Sequence, residues 1–153
     1  MAKEIIMFTD GGSRGNPGPA GIGVYISVKD KAASGGEVAE WKYGQCIGIK
    51  TNNDAEYEAL IFGLKKLKQL LGNISAKQAT INCFLDSELV VKQLGHEYKL
   101  KEPRIQQYFI EIWNLMLEFE KVTFTHVLRE KNKIADALVN EALDGEVNQN
   151  FLF

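Results

Sequence analysis

Apolar and polar positions follow two periods along this chain, and the changes between them outline its elements. Residues 4–9 form a short Ile-rich run and predict a strand. Residues 21–28 (Gly-Ile-Gly-Val-Tyr-Ile-Ser-Val) predict a second, and the loose alternation over 37–49 predicts a third. Between the first two, Gly11, Gly12, Gly15, Pro17, Gly18 and Pro19 predict a loop over 10–20. The Gly35-Gly36 pair predicts a hairpin turn over 29–36. Past Thr51 the period changes. Tyr57, Leu60, Ile61, Leu64, Leu67 and Leu71 recur at spacings of three and four, which is one face of a helix. Asn52 or Asn53 can cap its start, and Gly72 is expected to stop it. Residues 80–85 return to a strand, and Asp86 or Ser87 can cap a short helix running to Leu94. Pro103 opens a further helix with Ile105, Phe109, Ile112, Trp113, Met116 and Leu117 on its apolar stripe. Residues 122–128 predict the last strand, and Asn132 can cap a final helix carrying Ile134, Ala135, Leu138, Val139 and Ala142.

The order β-β-β-α-β-α-α-β-α predicts an α/β fold with a five-stranded mixed sheet. Three leading strands at hairpin spacing make an antiparallel meander, and two later strands, separated by helices, add in parallel through right-handed crossovers. Helices then cover both faces. One domain is expected over 1–153, with its core at about 4–143 and a C-terminal tail at 144–153. The tail ends Phe151-Leu152-Phe153, so docking on the body, docking on a partner chain and fraying all stay open.

Composition narrows the class. Apolar residues make up 45% and charged residues 25%, ordinary for a chain that buries a core. No apolar run approaches the roughly 18 residues of a membrane span, and the first residues do not read as an export signal. A cytoplasmic location without membrane attachment follows as the expectation. Cys46 and Cys83 lie in strand patterns without partner motifs and read as buried reduced thiols. The net charge of −2 argues mildly against a tight non-specific nucleic-acid binder. The clusters Lys65-Lys66-Lys68, Lys99-Lys101-Arg104 and Arg129-Lys131-Lys133 read mostly as solvated helix faces.

Four acids change this picture. Asp10 ends the first apolar run, Glu56 opens the long helix, Asp86 ends the strand at 80–85, and Asp136 lies early in the last helix. Each has a bland explanation alone, as a turn former, a helix cap or a first-turn charge on a helix dipole. Together they differ, because Asp10 and Asp86 end strands that this topology makes parallel neighbours. Such a strand edge is where open α/β sheets bind ligands. Carboxylates gathered there cannot all ionise without a counter-cation. Hard divalent ions with oxygen ligands, Mg²⁺ or Mn²⁺, meet that need and point to metal-assisted phosphoryl chemistry. Other chemistries fit poorly. The glycine loop lacks Gly-Lys-Ser/Thr, and Gly21-Ile22-Gly23 has no glycine at 26, so neither nucleotide fingerprint is met. Gly11, Gly12 and Gly15 read instead as room for a bulky ligand. No cysteine has a histidine partner in sequence, His126 reads as a packed strand residue, and His96 as a helix-end or exposed residue.

These residues together resemble type 1 ribonuclease H. The resemblance covers about residues 4–143. It rests on Phe8-Thr9-Asp10-Gly11-Gly12-Ser13 with Gly15-Asn16-Pro17-Gly18, on Thr51-Asn52-Asn53-x-x-Glu56, on Asp86-Ser87, and on Ala135-Asp136-x-Leu138. It implies the ribonuclease H-like fold and endonucleolytic hydrolysis of the RNA strand of RNA–DNA hybrids, leaving 5′-phosphate and 3′-hydroxyl ends. It implies two Mg²⁺ ions, with Mn²⁺ able to substitute, held by Asp10, Glu56, Asp86 and Asp136 beside the Gly11 backbone. It also implies that Gly11, Gly12, Asn16, Asn52 and Glu88 line the minor groove at the 2′-hydroxyls, and that Thr51 grips a DNA phosphate. Such contacts read shape, so cleavage should be largely sequence-independent.

The resemblance has departures. Where many members carry a histidine before the last helix, this chain reads Val127-Leu128-Arg129-Glu130-Lys131-Asn132-Lys133, as in the archaeal-like branch, where Arg129 is the expected partial substitute. The basic protrusion is reduced to Lys99, Lys101 and Arg104, and position 88 is Glu where many relatives have Gln. Double-stranded RNA presents the same A-form 2′-hydroxyls and stays open as a second substrate. A monomer is expected. The alternatives are a binding module that has lost catalysis, against which all four acids stand, and a nuclease domain of a larger machine.

Overall fold

The computed structural model describes residues 3–29 and 38–151. Three antiparallel strands open the chain: β1 (Lys3–Ser13), β2 (Gly18–Lys29) and β3 (Val38–Lys50). Then follow α1 (Asn52–Lys77), β4 (Ala79–Leu85), α2 (Glu88–Leu94), α3 (Pro103–Met116), β5 (Lys121–His126), a 3-10 turn (Arg129–Lys131) and α4 (Lys133–Phe151). The sheet order is β3-β2-β1-β4-β5, with β4 parallel to β1 and β5 parallel to β4. The expected mixed sheet of three antiparallel and two parallel strands is therefore present.

Alternation in the strands decides what each face buries. Ile5, Met7, Val24, Ile26, Ile81, Cys83 and Leu85 are buried, and they join Tyr57, Leu60, Leu64 and Leu67 of α1 in one core. Leu64 is fully enclosed, and truncating such a residue to Ala typically costs about 2–5 kcal/mol. α4 packs on the opposite face, over β2 and β3. Gly23 lets it approach, since a Cβ there would lie 2.1 Å from the Ala135 carbonyl oxygen.

Several boundaries differ from the sequence expectation. β1 does not stop at residue 9 but runs to Ser13, and β2 begins at Gly18, so only residues 14–17 separate them. The glycines were read as loop formers, yet Gly11 and Gly12 stay in the ladder opposite Ile22 and Gly21. Thr51, rather than Asn52 or Asn53, caps α1. Its hydroxyl accepts from the Asp54 amide at 3.1 Å while the Asp54 carboxylate accepts from the Thr51 amide at 3.2 Å. Gly72 kinks the helix (φ 78°, ψ 166°) without ending it, and helical structure resumes to Lys77. Asn132 does not cap α4 through its side chain: its Oδ1 accepts no hydrogen bond, and its Nδ2 donates to the Thr9 carbonyl instead. The α3 stripe is only half covered, with Ile105 and Ile112 buried and Trp113 and Leu117 exposed. His126 keeps the strand phase of Val122 and Phe124 but is exposed, because it is the last residue of an edge strand. Cys83 is buried as expected, whereas Cys46 is only partly so. α4 runs past residue 142 to Phe151, which takes up most of the expected tail; of the turn expected over 29–36, residue 29 belongs to β2, and residues 30–37, Leu152 and Phe153 lie outside the described residues.

Candidate active site

β1 and β4 bring two acids to one edge. Their parallel register ends with Thr9 opposite Leu85, so the next residues along the two strands are Asp10 and Asp86. Asp10 was expected at the strand's end. It is instead inside β1, opposite Gly23 on β2 and just beyond the last rung shared with β4. β1 thus continues past the point where β4 turns away to let Ser87 cap α2, whose Val90 amide bonds the Ser87 hydroxyl at 3.2 Å.

The third acid arrives from α1. A Cβ at Gly11 would lie 2.2 Å from the Ala55 carbonyl carbon and 2.6 Å from the Glu56 nitrogen. Only glycine therefore permits α1 to start directly against β1. Gly11 was read as making room for a ligand; its close neighbour is the first turn of α1. The result is that one ligand oxygen from each of Asp10, Glu56 and Asp86 falls within 4.8 Å of the others. Asp136, in the first turn of α4, is outside that 4.8 Å group but lines the same cleft, where its charge acts on Asp10.

Electrostatics follow from this crowding. Burial, then the Asp86 charge and the Asp136 contact, push the Asp10 carboxyl up to about 8. Burial, followed by the charges of Asp10 and Asp86, also raises Glu56 well above the usual carboxylate range, and a hydrogen bond from the Gly11 amide only partly offsets it. Glu56 Oε2 and Asp86 Oδ2 are buried and accept no hydrogen bond. Buried acceptors without donors are costly, and hard oxygen donors in this number suit a divalent cation of the Mg²⁺ type. The residues present fit such an ion.

A cleft of about 250 Å³ opens over the cluster. Asp10, Glu56, Asp86 and Asp136 form its acidic part, with Gly11, Gly12, Ser13, Arg14, Asn52, Arg129, Val139, Asn140 and Leu143 around them. Of the residues expected to meet substrate, Gly11, Gly12, Asn52 and Arg129 are therefore on its wall. Asn16 and Thr51 stand behind it. The Asn16 carboxamide oxygen accepts from the Asn52 amide at 3.0 Å, and Thr51 is the α1 cap. Asn52 in turn accepts from the Ser13 amide at 2.9 Å and the Ser13 hydroxyl at 3.1 Å. Glu88 is not on the cleft wall; its carboxylate pairs with Lys92 at 2.8 Å on the exposed side of α2.

Three residues on or behind the cleft were missed as site residues. Asn132, read only as a cap, is buried and donates from its carboxamide to the Thr9 carbonyl at 2.9 Å. Asn140 lines the cleft and reaches the Asp136 carbonyl at 3.2 Å. Arg14 was passed over inside the glycine loop, although a lone cation four residues after Asp10 was the signal available.

Comparison with known proteins agrees with this geometry. A family model described as reverse transcriptase-like matches residues 8–142. Ribonuclease HI of Halobacterium salinarum is 40% identical over 92% of this chain and 65% of its own length. The bifunctional protein Rv2228c of Mycobacterium tuberculosis is 38% identical over 92% of this chain, which spans only 36% of that protein. Among solved structures, LC11-RNase H1 from compost, in complex with an RNA/DNA hybrid, superposes with a TM-score of 0.81 at 42% identity, covering 94% of this chain and 99% of that one. With the acid cluster where β1 runs past the end of β4, the sheet order and these relatives all in agreement, the chain belongs to the type 1 ribonuclease H family.

Proposed function

We propose that this protein is an endoribonuclease that hydrolyses the RNA strand of RNA–DNA hybrids, leaving 5′-phosphate and 3′-hydroxyl ends. The observation that carries this reading is the convergence of Asp10, Glu56 and Asp86 within 4.8 Å, with two buried carboxylate oxygens lacking any donor. A cluster so short of positive charge is poised for cations. Asp10, Glu56, Asp86 and Asp136 would hold two Mg²⁺ ions. Two such ions, when held there, would supply an activated water and charge neutralisation at the leaving 3′-oxygen.

The rest is positioning by the chain itself. Asn52, fixed by Asn16 on one side and Ser13 on the other, presents a rigid polar wall with Gly12 where ribose 2′-hydroxyls pass. The guanidinium of Arg129 stands at the same cleft and attracts the scissile strand's phosphates. Selection then rests on duplex shape and the 2′-hydroxyl. The hybrid-bound relative supports the same partner.

The test is a Mg²⁺-dependent cleavage assay on one sequence offered as RNA–DNA hybrid, double-stranded RNA, double-stranded DNA and single-stranded RNA. Cleavage of the hybrid's RNA strand is the expected result. Added cleavage of double-stranded RNA widens the substrate class. No cleavage of any duplex in Mg²⁺ or Mn²⁺ overturns the reading in favour of a binding module.

A further inference from the structure

Residues 14–17 join β1 to β2, and their first member is the least explained group at the cleft. The backbone of Arg14 is fixed from several directions. Its amide donates to the Pro19 carbonyl at 2.8 Å. The chain before it is held by Asn52 through Ser13. A Cβ at Gly18 would stand 2.2 Å from the Arg14 carbonyl oxygen, so the turn closes tightly against that peptide. The side chain is not fixed in this way. Its Nη2 meets Asp144 Oδ1 at 2.6 Å across from α4, with the two side chains 42% and 64% exposed. An ion pair that open to water contributes little and exchanges partners readily. Arg14 also lines the cleft that contains the four acids.

Resting on the hybrid-nuclease reading above, we infer that Arg14 is a phosphate-binding residue for the nucleic-acid strand lying over the acid cluster, with Asp144 as the partner that a backbone phosphate displaces. A guanidinium offers a planar fork that matches phosphate oxygens two at a time, and a phosphate carries more acceptor atoms and charge than one exposed carboxylate. The need for such a residue is plain. The chain as a whole carries a net charge of −2, and the centre of the cleft is acidic, so attraction of a polyanion must come from cations at the rim. Arg14 has the rigid base and the loosely engaged head that this requires.

The test measures hybrid affinity in an Asp10→Asn background, which removes cleavage, as a function of salt. Adding Arg14→Ala should raise Kd about tenfold, the loss expected for one charge-assisted contact. It should also reduce the slope of log affinity against log salt by about 0.7–0.9, one phosphate contact's worth of released counterion. Arg14→Lys, which keeps the charge and loses the fork, should recover the slope but only part of the affinity. Asp144→Asn should leave affinity equal or improved, and its effect should vanish when Arg14 is Ala. If the background protein binds hybrid while Arg14→Ala changes neither Kd nor slope, the inference falls and the nuclease reading stands. The inference also falls if Asp144→Asn weakens binding as much as Arg14→Ala, because the pair would then be a structural tie. If the background protein binds no hybrid at any salt, both fall together.

Discussion

The Asn132 carboxamide donates to the Thr9 carbonyl at 2.9 Å, joining the turn before α4 to the residue that precedes Asp10. The backbone of Asn132 also accepts from the Asp136 amide at 3.1 Å. One buried side chain therefore sets the distance between the acids of β1 and α4. Asn132→Ala should lower kcat by about ten- to a hundredfold, the range for small misplacement of catalytic groups. It should also cost about 1–3 kcal/mol of stability, because the Thr9 carbonyl loses its donor. Parallel measurement of kcat and chemical denaturation checks both. An unchanged kcat at reduced stability would show that Asn132 packs without positioning.

Asp10→Asn should remove activity and stabilise the fold in the absence of metal. The carboxyl at position 10 is buried among Glu56, Asp86 and Asp136, and its ionisation in the folded state is opposed by all of that surrounding charge. A neutral amide of the same shape escapes the repulsion. The expected outcome is loss of cleavage together with a metal-free melting temperature at pH 8 at or above that of the parent. A melting temperature several degrees lower would mean that the carboxylate holds the fold.

The same crowding sets the dependence on pH. The folded Asp10 carboxyl titrates near 8 against an ordinary value of 3.8, so the folded state keeps a proton that the unfolded chain releases. A raised acid contributes stability at low pH that is lost as pH climbs between those values, and Glu56 shifts in the same direction. Metal-free protein should therefore become less stable between about pH 5 and pH 8. Mg²⁺ should raise the melting temperature more at pH 8 than at pH 5, since the ion then competes with fewer protons. Thermal melts with and without Mg²⁺ at both values check this, and equal Mg²⁺ shifts would contradict it.

Asp54 works in the opposite sense. Burial alone would raise its carboxyl, but the Arg104 guanidinium and the Thr51 hydroxyl and amide outweigh it and hold the group below its ordinary 3.8. Arg104 Nε reaches Asp54 Oδ1 at 2.5 Å and ties the start of α3 to the cap of α1. A depressed acid stabilises above its unfolded value, and that contribution disappears as pH falls below it. Arg104→Ala should be only mildly destabilising at neutral pH, since the guanidinium is half exposed and the cap remains. The difference between variant and parent should shrink as pH falls below 3.8. Denaturant titrations across that range measure it.

Much of this was legible in the sequence because it depends on local pattern. The helix face from Tyr57 to Leu67 is buried as its spacing implied, and Asp10, Glu56 and Asp86 are brought together as the strand order implied. What was misread depends on contacts between distant segments. Gly11 and Gly12 look like loop formers, yet they stay in β1 because α1 and β2 press on them from either side. Glu88 sits where a groove contact was expected, but Lys92 one turn along α2 draws it away. His126 has the strand phase of a core residue and is exposed only because the strand ends there at the sheet's margin. Asn132 reads as a cap in sequence, and nothing local reveals Thr9 as its partner.

Because β1 is the central strand and Asp10 lies within it, the acid cluster is anchored to the part of the molecule that opens last. Amide hydrogens around Thr9 and Asp10 should exchange with solvent only through global unfolding, whereas half-exposed α3 is free to open in smaller excursions. Partial unfolding would then loosen the periphery and leave the carboxylates in register.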